Sequence, residues 1–166
     1  MHLSPDLEAA FNDQIHLEFE SAYVYLQMGA DFEARNLHGF AHWMRAQSQE
    51  EWGHAMKFTT FVLDRGGNVR LQAIAAPESG FASPLAAFER ALGHEQRVSK
   101  AIHDLYATAL AKSDFASLPL LQWFVDEQVE EERMVSDIVE RLKMIGEDPT
   151  GLLFVDRELG GRASGG

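Results

Sequence analysis

The chain has 166 residues, 46% of them hydrophobic, which suits one domain that buries roughly 70% of its unfolded surface. Its 26 acidic side chains against 14 basic ones leave a net charge of −12, which argues against nucleic-acid binding and in favour of cations as partners. With no cysteine, disulfides, thiolate zinc sites and iron–sulfur clusters are excluded, so any metal must be held by nitrogen and oxygen donors.

The N-terminus shows neither a basic leader nor an apolar signal core, and no apolar run is long enough to span a bilayer. A cytoplasmic protein with no membrane partner is expected. Ser4 and Pro5 form a helix start, with Asp6 and Glu8 suited to the positive end of the dipole. This first helix is predicted to run to about Arg35. Its inward stripe reads Leu7, Phe11, Ile15, Glu18, Ala22, Tyr25, Gly29 and Phe32, in steps of three and four that match one helix face. A short break at residues 36–39 leads into a second helix with the stripe Phe40, Met44, Gln47, Glu51, His54, Phe58 and Phe61. So short a link makes the two helices antiparallel neighbours.

Gly66 and Gly67 stop the second helix, and residues 68–82 carry no helical repeat. A helix of about 30 residues is ~45 Å long, and about 15 extended residues reach roughly 50 Å, so this segment just crosses the length of a bundle. The helices on either side of it are then parallel. Ser83 and Pro84 repeat the first helix start, and the third stripe reads Leu85, Phe88, Leu92, Glu95, Val98, Ile102, Leu105 and Ala109. After residues 112–114 a fourth helix shows Leu121, Phe124, Gln128, Glu131, Val135, Ile138, Leu142 and Ile145, with Pro119 confined to its first turn. The apolar segment 151–159 reads as a small fifth helix in need of a partner. The domain therefore spans residues 1–159, and residues 160–166 read as a flexible tail.

Polar side chains interrupt each apolar stripe in register. Glu18 and Glu51 lie 33 positions apart, as do Glu95 and Gln128, and an offset of 77 carries Glu18 onto Glu95, Glu51 onto Gln128 and His54 onto Glu131. Each half of the chain thus offers one polar residue from its first helix and two from its second. The spacing from Glu51 to His54, and from Gln128 to Glu131, places each pair side by side on a helix surface. Glu-x-x-His facing into a four-helix bundle is the arrangement of carboxylate-bridged two-metal centres. The alternative, a buried network of protonated acids, fits poorly, because four carboxylates and one imidazole have no lysine or arginine on the stripes to balance them. Carboxylates with a single imidazole suit iron(II) or manganese, and oxidation chemistry selects iron. Glu51, central to the set, is the natural bridge.

One position earlier on the second and fourth helices stand Glu50, Glu127 and Glu130, a candidate third cation site or else a solvated acidic face. Tyr25, two turns beyond Glu18, and Trp123 are candidate electron or hydrogen-bond donors, with plain core packing as the alternative. Gln47, one turn before Glu51, reads as a hydrogen-bonding support for the ligands. The other histidines, His2, His16, His38, His42, His94 and His103, have no partners in register and read mostly as surface residues.

With these motifs in place, the chain resembles the bacterial non-haem ferritins. The resemblance rests on Leu17-Glu18, the run from Gln49 to His54, His94-Glu95-Gln96, Gln122-Trp123, the run from Glu127 to Glu132, and the segment from Gly151 to Leu159. It implies an all-α, ferritin-like antiparallel four-helix bundle with a long crossover between its second and third helices and a short C-terminal fifth helix. It further implies a ferroxidase centre in which Glu18, Glu51 and His54 hold one iron and Glu51, Glu95 and Glu131 the other, with Gln128 alongside and a third iron at Glu50, Glu127 and Glu130. The implied function is oxidation of iron(II) by oxygen or hydrogen peroxide and storage of iron(III) mineral in a homo-oligomeric cage of twenty-four subunits. Bacterioferritins carry a second Glu-x-x-His on the fourth helix and a haem-ligating methionine beside the motif on the second. This chain has Gln128, Glu131 and Trp52 at those places, so haem is not expected. The competing function is a two-iron oxidase or oxygenase acting on an organic or peroxide substrate, for which a chain of this length leaves little room.

Overall fold

The computed structural model describes residues 2–162, and within them the chain forms five α-helices: α1 (Pro5–Ala34), α2 (His38–Asp64), α3 (Pro84–Ala111), α4 (Leu118–Ile145) and α5 (Pro149–Leu159). Among the described residues, no helix is long and apolar enough to cross a membrane. The two Ser-Pro starts behave alike: Ser4 Oγ accepts from the Leu7 amide and Ser83 Oγ from the Ala86 amide, satisfying donors that the first turn leaves unpaired. Asp148 does the same for Thr150 and Gly151 at the head of α5.

The link between α1 and α2 is shorter than the expected break at residues 36–39. Asn36 takes the left-handed conformation (φ 58°), the Leu37 amide donates back to the Phe32 carbonyl, and His38 is already helical. Asparagine tolerates that backbone region and so closes the turn alone. Gly39, read from sequence as part of the break, lies inside α2. Its bare α-carbon is where α5 arrives: a Cβ there would stand 1.6 Å from the Asp156 carbonyl oxygen.

The segment between α2 and α3 runs the length of α1 on polar contacts. Asn12 donates to the Asn68 carbonyl and accepts from the Arg70 amide, Gln72 donates to Asp13, and the Gly80 amide donates to Asp31. Arg35 then closes on the Phe81 carbonyl at the far end of α1. The chain is thereby returned to the end of the bundle where α2 began, and α3 descends parallel to α2, as its spacing predicts. Phe88 near the start of α3 accordingly meets Trp43 near the start of α2, ring centroids 5.3 Å apart.

The apolar interior falls into two clusters. One gathers Met28, Phe32, Phe40, Phe88, Val135 and Leu142 together with Val155 and Leu159 of α5, and the other Leu7, Phe11, Phe58, Ile102, Leu121 and Phe124. Between them lies a layer of buried polar residues from all four long helices. The C-terminal end also departs from expectation. Gly160 and Gly161, placed by sequence in the tail, turn the chain back, and Arg162 docks onto α2. The rest of that expected tail, residues 163–166, lies outside the described residues.

Candidate metal centre

The polar layer is built from Glu18 on α1, Glu51 and His54 on α2, Glu95 on α3, and Gln128 and Glu131 on α4, none more than 4% exposed. All six residues singled out by register meet there. Ligand atoms of Glu18, Glu51 and His54 lie within 4.8 Å of one another, and so do those of Glu51, Glu95 and Glu131. Glu51 belongs to both groups. The imidazole Nδ1 of His54 faces Glu51 at 3.4 Å and Glu18 at 4.0 Å.

Donors from the surrounding helices fix most of the carboxylate oxygens. Gln14 donates to Glu18 (2.7 Å), Gln47 to Glu131 (2.6 Å) and Glu51 (3.3 Å), the Tyr25 hydroxyl to Glu95, and Gln128 to Glu95 (3.2 Å) and Ser99 (3.2 Å). Two buried oxygens are left without a hydrogen-bond partner: Glu18 Oε2, in the first group, and Glu131 Oε1, in the second. A buried acceptor with no donor is costly unless a cation completes it. One orphan per group, among oxygen donors with a single imidazole, leaves each group able to hold a divalent cation, with Glu51 common to both.

The electrostatics carry the same signature. Burial, reinforced by the charge of Glu51, pushes Glu18 well above the ordinary carboxyl range. Burial and Glu51 likewise raise Glu95 to about 8, against the pull of hydrogen bonds from Tyr25 and Gln128, and burial with Glu51 and Glu95 raises Glu131 to about 9. Burial pulls His54 down, but the hydrogen bond and charge of Glu51, helped by Glu127 and Glu50, outweigh it and leave His54 raised. Tyr25, fully buried beside Glu95, is held in its neutral hydroxyl form.

The second row is arranged less simply than the sequence suggests. Glu127 turns to His54 Nε2 at 4.0 Å and forms a third close group with His54 and Glu131. Burial raises Glu127, with the neighbouring charges of Glu50 and Glu130 adding to the rise. Neither Glu50 nor Glu130 belongs to a close group, and Glu50 pairs with Arg162 at 2.6 Å. Glu50, His54 and Glu127 line a cavity of about 280 Å³ with Gln49, Lys57 and Trp123. Trp123 meets His54 edge-on at 5.7 Å and carries the Lys57 ammonium on its face at 3.1 Å from the ring centroid.

Sequence reasoning missed four contributors. Gln14 and Ser99 each lie one helical turn from a ligand, Glu18 and Glu95, a spacing that had already singled out Gln47. His94, one of the histidines read mostly as surface residues, is partly buried; its Nε2 lies 2.6 Å from Ser21 Oγ and its Nδ1 3.2 Å from Arg97. Arg162 had no local signal, since it stands among glycines beyond the last helix.

A family model of the ferritin-like domain matches residues 8–145. Among curated relatives, the chain is 41% identical to a bacterial non-heme ferritin of Bacteroides fragilis over 160 residues, covering 96% of this chain and 99% of the relative. It is 36% identical to one from Staphylococcus aureus over 160 residues, with 96% of each chain covered. Among solved structures, an open-pore ferritin from the hyperthermophilic archaeon Archaeoglobus fulgidus superposes with a TM-score of 0.96 at 50% identity, covering 97% of this chain and 98% of that one.

Proposed function

This chain belongs to the ferritin family, and we propose on that footing that it stores iron: it oxidises iron(II) at the buried centre and holds the iron(III) product as mineral inside a cage of twenty-four copies in the cytoplasm. The observation that carries the reading is the pair of carboxylate groups sharing Glu51, each with one unpartnered buried oxygen. Glu18, Glu51 and His54 receive one iron ion, and Glu51, Glu95 and Glu131 the second, with Gln128 beside it. Each iron(II) gives up one electron, and oxygen or hydrogen peroxide takes it.

The protein's part is to hold charge and protons. Glu95 and Glu131, at about 8 and about 9, carry protons at neutral pH when no cation is present. Incoming iron(II) replaces those protons, and the four carboxylates, once ionised, balance two divalent ions. Gln14, Gln47 and Tyr25 keep the carboxylates aimed during the exchange. Tyr25 stands next to Glu95 and is the group we assign to supply an electron or a proton when the oxidant is reduced. The cavity beside the centre is small and presents Glu50, His54, Lys57 and Glu127, which favours an ion path over an organic-substrate pocket.

Anaerobic titration with iron(II) tests this directly. Two tight equivalents per chain should bind with release of protons at pH 7, and air should then produce a yellow-brown product that co-sediments with a very large particle. A chain that sediments as a monomer, or that oxidises iron without retaining it, would overturn the storage reading.

A further inference from the structure

Arg162 is held at four points along one side of α2. Its Nη2 lies 2.6 Å from Glu50 Oε2, its Nη1 donates to Gln47 Oε1 at 2.8 Å, its guanidinium sits 4.8 Å from the Trp43 ring centroid, and its carbonyl lies 2.8 Å from His42 Nε2. The side chain is only 19% exposed. So many partners for a residue just past the last helix is not the pattern of a loose end.

We propose that Arg162 is a built-in counter-ion of the metal centre: it occupies Glu50 against a third cation and, through Gln47, positions the carboxylates that take the first two. The inference rests on the metal-binding reading above. Two physical arguments carry it. A glutamine amide has one accepting and one donating end, and a guanidinium only donates. Arg162 therefore fixes Oε1 of Gln47 toward itself and turns Nε2 toward Glu131 (2.6 Å) and Glu51 (3.3 Å). Without it the amide is free to flip and set an oxygen against a carboxylate. The second argument is charge. Glu50 and Glu127 line the cavity beside the centre, and any cation drawn to Glu50 must compete with the guanidinium already paired with its Oε2. Lys57, the cation that lines that cavity, is engaged on the Trp123 face. Arg162 is thus a positioning residue that acts through Gln47, and it separates two tight binding events from a weaker third.

Zinc(II), which does not change oxidation state, is the probe, titrated calorimetrically into the intact metal-free assembly. The wild-type protein should take two tight equivalents per chain and a weak third. Arg162→Ala should tighten the third by about twofold to fivefold, the order expected when one charge leaves a partly screened site, and should weaken the first two a few-fold. Arg162→Lys, which keeps the charge, should leave the third near its wild-type value. If the two tight equivalents are present and Arg162→Ala leaves the third unchanged, or if Lys and Ala tighten it equally, the counter-ion role is wrong while the metal centre stands. If the wild-type protein takes no tight equivalents, the metal centre itself is wrong and this inference falls with it. Should Arg162→Ala fail to assemble, Arg162→Gln is read by the same criteria.

Discussion

A carboxylate buried in a helix bundle stays ionised only where something meets its charge, and in the metal-free layer protons do so at Glu95 and Glu131. Both are raised from an ordinary value of 4.5, to about 8 and about 9, so the folded chain binds more protons than the unfolded one between those limits. The stabilisation they contribute is complete below pH 4.5 and is lost as pH climbs through 8 to 9. Chelator-treated protein should therefore melt at a lower temperature at pH 9 than at pH 6, and Glu131→Gln should flatten that dependence. A metal-free protein that grew more stable over this range would contradict protonation of the layer. For activity, Glu18→Ala, His54→Ala and Glu131→Ala should each slow fast iron(II) oxidation by about a hundredfold or more, since removing even a supporting group around a metal commonly costs ten- to a hundredfold. Glu130→Ala, outside every close group, should be milder. Stopped-flow oxidation with circular dichroism as the folding control checks both, and equal losses at Glu130 and Glu51 would refute the ranking.

At the scale of elements, the docking of α5 depends on one missing methyl group. The Phe40 amide donates to Asp156 at 2.9 Å, and Val155 and Leu159 are buried against the end of the bundle, a contact that brings the α5 backbone onto Gly39. Gly39→Ala should push α5 off, losing about 1.5–3 kcal/mol of burial for each of the two apolar side chains, and should expose the segment near Gly146 to protease. Unchanged proteolysis and unchanged sedimentation would show that α5 is held by something else. The helices themselves were legible because apolar residues recur at steps of three and four, and the ligands because they break that recurrence at matching positions. What remained hidden came from chain segments distant in sequence. Periodicity around Gly39 cannot announce that α5 will land on it, and nothing beside Arg162 foretells a partner 112 positions away. The contact of His94 with Ser21 was hidden for a related reason, since Ser21 belongs to another helix.

For the whole molecule, apolar side chains left outside the bundle bear on assembly. Tyr23, Trp52 and Leu71 are each about half exposed or more and flank one groove with Phe19 and Ile74. Such a surface suits contact with another copy, as the cage reading requires.

The polar layer also divides the interior into two separate oily compartments, each with its own aromatic stack, one at either end of the rod. Helix backbone joins them, but no continuous apolar packing does. An empty chain should then breathe at its waist: hydrogen exchange of metal-free protein should show amides around Glu51 and Glu95 opening more readily than those around Phe40 or Phe58, and zinc should remove the difference. Equal protection along the helices without metal would refute it. Proteases cut what opens, so empty chains should be digested faster than loaded ones. The lifetime of the container would in that way follow the supply of what it contains, with no sensor beyond the seam itself.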